Sequence, residues 1–137
     1  MADREKTPVF ISFDYDHDRD LKALLVGQSR YRNSPFFIQD WSIKDETKAW
    51  KSDARKRITR STVVIVICGL YTGSAVGVAA EVAIAKEEGI PYRLLRGRKK
   101  DSAQRPRGTS LFDTIENWTW ENLRRMTDVR PWWQKIW

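Results

Sequence analysis

The sequence contains one cysteine and one histidine in 137 residues. Cys68 cannot pair within the chain, and its place inside an apolar run makes it a small buried hydrophobe. A zinc site of histidines and cysteines is excluded by count. A Ser–His–Asp or Cys–His nucleophilic centre would rest on His17 alone, which reads better as a surface residue at a helix start. No apolar run approaches the ~18 residues of a membrane span, and the N-terminus carries no signal-peptide pattern. A cytoplasmic location with no membrane partner is therefore expected. There is no G-x-G-x-x-G and no Walker A sequence, which removes the two common glycine-rich phosphate loops. No repeat and no internal domain boundary is visible.

What is present is a 41% hydrophobic chain of a length that forms one domain with its own core. Its most apolar stretch, Thr62 to Cys68, is β-branched and bounded by Arg60-Ser61 and Gly69. That pattern suits a strand covered on both faces, as in a parallel sheet. A turn, Gly69 to Ser74, leads into a helix over about Ala75 to Glu88, with Ser74 as its expected N-cap and Gly89 and Pro91 as its stop. Upstream, Pro8 to Phe13 reads as a first strand and Arg19 to Ser29 as a helix. Leu21, Leu24, Leu25 and Gln28 share one stripe of that helix, and Asp16 or Asp18 is expected to cap it. Phe36 to Gln39 reads as a short second strand, Asp40 to Thr47 as a polar loop, and Ala49 to Arg60 as a helix with Trp50, Ala54 and Ile58 inward. Pro91 to Arg96 is the fourth strand, Gly97 to Arg107 a basic loop, and Leu111 to Trp118 holds a short segment. A last helix over Trp120 to Met126 is capped by Thr119. Residues 1–7 are expected to be flexible, 8–128 to form the domain, and 129–137 to be an aromatic, basic tail.

Alternating strands and helices give an α/β fold, a doubly wound parallel sheet with strands one and three central. Sites in such sheets lie beyond the carboxyl ends of the strands, at the switch in strand order. Topology therefore gathers Phe13-Asp14-Tyr15, Asp40-Trp41-Ser42 and Gly69 to Glu81 around one crevice. Glu81 is the one charge between Ala75 and Ala85 and lies over Gly77, one turn earlier. Glycine inside a helix costs about 1 kcal/mol relative to alanine, so the gap at Gly77 wants a reason. Either Glu81 is a carboxylate facing a pocket, or it is an exposed acid on an alanine-rich helix whose Gly77 serves close packing.

Asp14, Asp16, Asp18 and Asp20 alternate after the first strand. Arg19 and Leu25 stand where a calcium loop needs Gly and Glu, so an EF-hand fails. A magnesium-dependent nuclease stays open, without a second carboxylate motif to support it, and no metal is expected. The net charge of +7 is uneven: residues 93–137 carry 11 basic and 5 acidic side chains. Trp118, Trp120, Trp132, Trp133 and Trp137 share that basic end, which could stack on single-stranded bases, cover the sheet edge or meet a partner protein. Nucleic acid is not the expected partner.

Several segments, in order, resemble one family: Val9 to Asp20 (VFISFDYDHDRD), Asp40-Trp41-Ser42, Val63 to Gly69, Gly77 to Glu81, and Asn117 to Leu123. Together they are similar to the TIR-like, flavodoxin-like family that includes the ThsB proteins of bacterial Thoeris anti-phage defence. The resemblance implies a five-stranded parallel sheet flanked by helices. It implies cleavage of NAD at the nicotinamide–ribose bond, giving ADP-ribose or a cyclic ADP-ribose-type signal, with NAD as substrate and no separate cofactor. Glu81 matches the family's catalytic glutamate, with Ser74 in the preceding turn. Ser12, Phe13, Asp14, Tyr15, Asp40, Trp41, Ser42, Ser74 and Gly77 are the expected substrate-binding residues, and Arg93 to Lys100 a candidate for the pyrophosphate. The loop from Asp40 to Glu46 matches the family's loop that covers the site and often mediates self-assembly, so self-assembly or a partner protein is expected. The helix lacks the family's Trp-Cys pair, and the loop lacks its Arg-Asp-x-x-Pro-Gly pattern. A non-catalytic module that binds a nucleotide or a partner is the alternative.

Overall fold

The computed structural model of the protein describes residues 6–44, 49–98, 102–130 and 132–135. Five parallel strands form one sheet in the order β2-β1-β3-β4-β5. They are β1 (Thr7–Ser12), β2 (Phe36–Trp41), β3 (Val63–Cys68), β4 (Tyr92–Arg96) and the two-residue β5 (Ile115–Glu116). The helices are α1 (Arg19–Ser29), α2 (Trp50–Thr59), α3 (Val76–Glu87) and α4 (Trp120–Thr127). All six residues of β3 are buried, as its unbroken β-branched run demands of a strand covered on both faces.

Period-two alternation sorts the strand residues into two cores. Val9, Ile11, Ile65 and Ile67 meet Leu21 and Leu25 of α1 and Leu123 and Met126 of α4. Phe10, Val64, Val66 and Cys68 meet Ala54 and Ile58 of α2 and Val78, Val82 and Ala85 of α3. Burial pushes the Cys68 thiol up to about 12, so it is an inert core group. The chain leaves β1 toward β2 on one side and returns to β3 on the other, which puts the switch in strand order between β1 and β3.

Three local expectations change. β2 runs two residues further than Gln39, to Trp41. The β1–β2 register pairs Val9 with Ile38 but Phe10 with Asp40, so Gln39 is an extra residue in the edge strand. Leu24 is 61% exposed, because the buried face of α1 is Leu21, Leu25 and Ser29, a stripe turned away from it. Neither expected cap of α1 or α3 is made. Asp18 sits at the α1 N-cap, but its carboxylate lies against Gly69 and 3.7 Å from Arg98 instead of capping. Ala75 holds the α3 N-cap, and Ser74 belongs to a 3₁₀ turn, its hydroxyl donating to the Tyr71 carbonyl at 3.3 Å. At its other end, α3 stops as expected. Gly89 takes φ +69°, and the Ile90 amide donates to the Ala85 carbonyl at 2.8 Å, closing a Schellman turn. Thr119 caps α4, accepting from the Asn122 amide at 3.1 Å.

Trp118 and Trp120 pack against the first core, and the Trp118 indole donates to Gln28 at 2.8 Å. Of the terminal segments, Lys6 donates to the Ser29 and Tyr31 carbonyls at 3.1 and 2.9 Å. Residues 1–5 of the expected N-terminal segment, and Pro131, Ile136 and Trp137 of the expected tail, lie outside the described residues, as do 45–48 and 99–101.

Two glycines make opposite predictions. A Cβ on Gly69 would stand 2.5 Å from Asp18 Oδ2, a carboxylate that is itself 2% exposed. Gly69→Ala is expected to destabilise by about 1–3 kcal/mol through that clash. Gly27, inside α1, has nothing within 4 Å of a built Cβ, so Gly27→Ala is expected to stabilise by about 0.5–1 kcal/mol. Urea midpoints of the two variants check both signs.

Candidate functional site

The carboxyl ends of β1 and β3 open onto a cavity of about 490 Å³. Its lining comes from four places: Phe13 to His17 after β1, Ser42 to Lys44 after β2, Trp50 at the start of α2, and Tyr71, Ser74 to Val78 and Glu81 from the β3–α3 turn and α3. Such a volume falls in the ~300–1,000 Å³ range of small-molecule sites.

Glu81 is 1% exposed and lines this cavity, so the exposed-acid alternative for it is ruled out. Its Oε1 accepts from Ser42 Oγ at 2.5 Å and from Ser12 Oγ at 2.7 Å. Ser12 shares the strand parity of Phe10, which turns it toward α3. Ser42 continues the parity of Asp40, which the extra residue Gln39 sets. The Ser42 hydroxyl also accepts from the Phe13 amide at 3.1 Å, tying the ends of β1 and β2 together. Burial pushes the Glu81 carboxyl up to about 7 from an ordinary 4.5, while the Ser42 and Ser12 hydrogen bonds and the Arg57 charge pull the other way.

Gly77 lies on the cavity wall next to Trp50. A Cβ there would meet Trp50 Cζ2 at 3.7 Å, an ordinary contact. Close packing therefore does not require the glycine, and a longer side chain would enter the cavity.

At the mouth, His17 Nδ1 is 2.7 Å from Asp14 Oδ2, and the imidazole lies against the Tyr71 ring with centroids 4.3 Å apart. Asp14 is 8% exposed, and its Oδ1 accepts from the Asp16 amide at 3.1 Å. Lys44 approaches Asp16 at 3.7 Å. Tyr15 stacks on Phe13 at 6.1 Å and carries the Arg19 guanidinium at 5.1 Å from its ring centre. Behind them Asp18 is held above its ordinary range by burial and by Asp14, with Arg98 opposing, and its Oδ2 has no partner among the described residues.

Of the expected site residues, Phe13, Asp14, Tyr15, Ser42, Ser74, Gly77 and Glu81 line the cavity together. Ser12 lies fully buried behind it, joined to Glu81. Asp40 and Trp41 are outside the lining. Asp40 faces α2, 3.7 Å from Arg57 and 4.0 Å from Arg60. The Trp41 ring faces α1, with Lys22 Nζ 4.8 Å from its centre. Alternation along β2 sends the two to opposite faces of the sheet, Asp40 toward α2 and Trp41 toward α1. The described part of the basic segment is also elsewhere: Arg93 donates to the Tyr92 carbonyl, Arg96 to Asn117, and Arg98 to Asp20. Lys99 and Lys100 lie outside the described residues, as do Asp45 and Glu46 of the expected assembly loop. Asp16, His17, Ile43, Lys44 and Trp50 also line it without having been named as site residues, and Tyr71, Ala75, Val76 and Val78 come from the Gly69 to Glu81 stretch expected at the crevice. Trp50 was legible as inward, but only as core. Its place in the first turn of α2, the helix that follows β2, was the signal that it borders the carboxyl edge. Among the described residues, no group of three or more His, Cys, Asp or Glu is placed to hold a metal ion, and no helix is long and apolar enough to cross a membrane.

A family model described as Thoeris protein ThsB, TIR-like domain, matches residues 10–96. The match covers more than half of the chain and contains the whole Ser12–Ser42–Glu81 cluster. No curated protein matches the chain.

The Glu81 carboxyl makes stability depend on pH. Its folded value lies above its unfolded one, so its contribution is complete below about 4.5 and is lost as pH rises through about 7. The parent protein is expected to lose on the order of 3 kcal/mol over that window. Glu81→Gln, whose amide oxygen can keep both serine hydrogen bonds, is expected to flatten the window and to exceed the parent in stability at pH 8. Urea denaturation at pH 5 and pH 8 measures this; parallel profiles for the two proteins would refute it.

Proposed function

The chain belongs to the TIR-like domain family of the Thoeris protein ThsB, and from that premise we propose that it acts in anti-phage defence by cleaving NAD at the nicotinamide–ribose bond. The products are ADP-ribose or a cyclic ADP-ribose-type signal, and Glu81 is the reacting carboxyl. One observation carries this reading: a buried carboxyl, anchored through one oxygen by Ser12 and Ser42, lines a cavity of about 490 Å³. Breaking the glycosidic bond leaves its electron pair on nicotinamide and builds positive charge on the ribose. A carboxylate in a water-poor site stabilises that charge far better than one in bulk water. A group that ionises near neutrality supplies the carboxylate at working pH.

The rest of the lining suits such a substrate. Phe13, Tyr15, Trp50 and Tyr71 offer ring surfaces for nicotinamide or adenine. The first turn of α3 lines the cavity with no side-chain cap, and its spare amides suit a diphosphate, as does Lys44. NAD is consumed as substrate, so no separate cofactor is required. A second reading, a nucleotide- or partner-binding module without turnover, draws on the exposed Ile43, Tyr71 and Val76 at the mouth, which also suit self-assembly or a partner protein.

Nicotinamide release from NAD, followed by chromatography at high protein concentration with and without lysate of phage-infected cells, separates the two. The parent is expected to release nicotinamide, and Glu81→Ala to lose at least about 10²-fold in rate. Gly77→Ala should keep the activity, while Gly77→Leu should block it by filling the cavity. Release that persists at the parent rate in Glu81→Ala would remove Glu81 from the reaction. No release under any condition would leave the binding module.

A further inference from the structure

Glu81 accounts for the charge that develops on the ribose, but not for the proton of the attacking group. Water, or any hydroxyl that attacks the ribosyl carbon, must give up its proton as the new C–O bond forms. Glu81 Oε1 is committed to two serines, and on the cleavage reading its carboxylate serves the charge on the sugar. Besides Glu81 the lining holds Asp14, Asp16 and His17; Asp14 is engaged with His17 and with the Asp16 amide, Asp16 lies 3.7 Å from Lys44, and the imidazole is the group whose ordinary range lies nearest neutrality. His17 lines the cavity, with its side chain 48% exposed, at the end of the strand that also supplies Ser12.

We infer that His17 is the general base of this cavity, with Asp14 as its positioning residue; the inference rests on the cleavage reading above. The Asp14 carboxylate engages Nδ1 at 2.7 Å, which keeps the ring proton on Nδ1 and leaves the Nε2 lone pair for the cavity. Asp14 is itself fixed, nearly buried and bonded through its other oxygen to the Asp16 amide. The Tyr71 ring packs against the imidazole with centroids 4.3 Å apart. Base, carboxylate and packing partner thus come from two loops that both leave the carboxyl edge of the sheet.

The balance is simple. The C–N bond breaks with its electron pair on nicotinamide, and the hydroxyl oxygen bonds to the ribosyl carbon. The hydroxyl proton passes to Nε2, and the imidazolium is stabilised by Asp14 until solvent takes the proton. For water as the nucleophile the sum is NAD and water giving ADP-ribose, nicotinamide and one proton.

His17 is the only histidine in the chain, so every imidazole signal belongs to it. Nitrogen NMR of the neutral ring is expected to show Nδ1 protonated and Nε2 bare, and Asp14→Asn to disturb that tautomer. A neutral ring protonated on Nε2 would overturn the inference. In the nicotinamide assay, His17→Gly is expected to lower kcat by about 10²–10⁴-fold, and added imidazole to restore at least about tenfold of it. His17→Gln, which keeps a donor toward Asp14 but cannot take a proton, should be as slow and gain nothing from imidazole. Asp14→Asn should lower kcat with little change in KM. His17→Gly at the parent rate, or a loss that imidazole does not answer, overturns the base role while leaving the cleavage reading intact. A parent protein that releases no nicotinamide overturns both.

Discussion

The contact on which the site depends is the double hydrogen bond from Ser12 and Ser42 to one oxygen of Glu81. It joins the end of β1, the end of β2 and the second turn of α3, which are distant in sequence and meet only once the parallel sheet has formed. An isolated carboxyl at 1% exposure would be costly, and the two hydroxyls offset part of that cost. Burial still wins, which is why the group is driven toward neutrality. A protein selected for stability alone would place an apolar residue here. A buried acid–hydroxyl cluster bordering a cavity is a costly polar arrangement of the kind that clusters at functional sites.

The surrounding fold makes that compromise tolerable. β3, buried along its whole length, separates two cores and fixes α3 against the sheet through Val78, Val82 and Ala85. Glu81 therefore has a rigid mounting, and the serines need supply only the last part of its orientation. On the other face, α1 and α4 seal the sheet without taking part in the cavity.

Much of this was legible in the chain. The β-branched run before Cys68, the glycine turn and the Gly89 stop fix the central strand and helix. Strand–helix alternation gives the sheet and hence the edge at which the site lies. The acid in the apolar helix and the glycine one turn before it were the right residues to doubt. What the chain could not show were side-chain directions at the ends of elements. Asp40 and Trp41 looked like crevice residues because they follow a short strand. One extra residue at Gln39 and two further strand positions turn them to opposite faces. Asp18 and Ser74 have the chemistry of caps, yet packing on Gly69 and a 3₁₀ turn claim them first. His17 is an exposed residue beside the start of α1, as expected, but nothing in a run of aspartates says which carboxylate meets its ring.

The asymmetry of Glu81's two oxygens has one more consequence. A carboxyl oxygen offers two lone-pair sites, and on Oε1 both are occupied by serine donors. When the group is neutral, its own proton is therefore directed to Oε2. The serines thus decide where that hydrogen sits as well as hold the side chain. The acid form therefore presents its hydrogen from Oε2, the oxygen that Ser12 and Ser42 leave unengaged, so the residue can donate only from that atom.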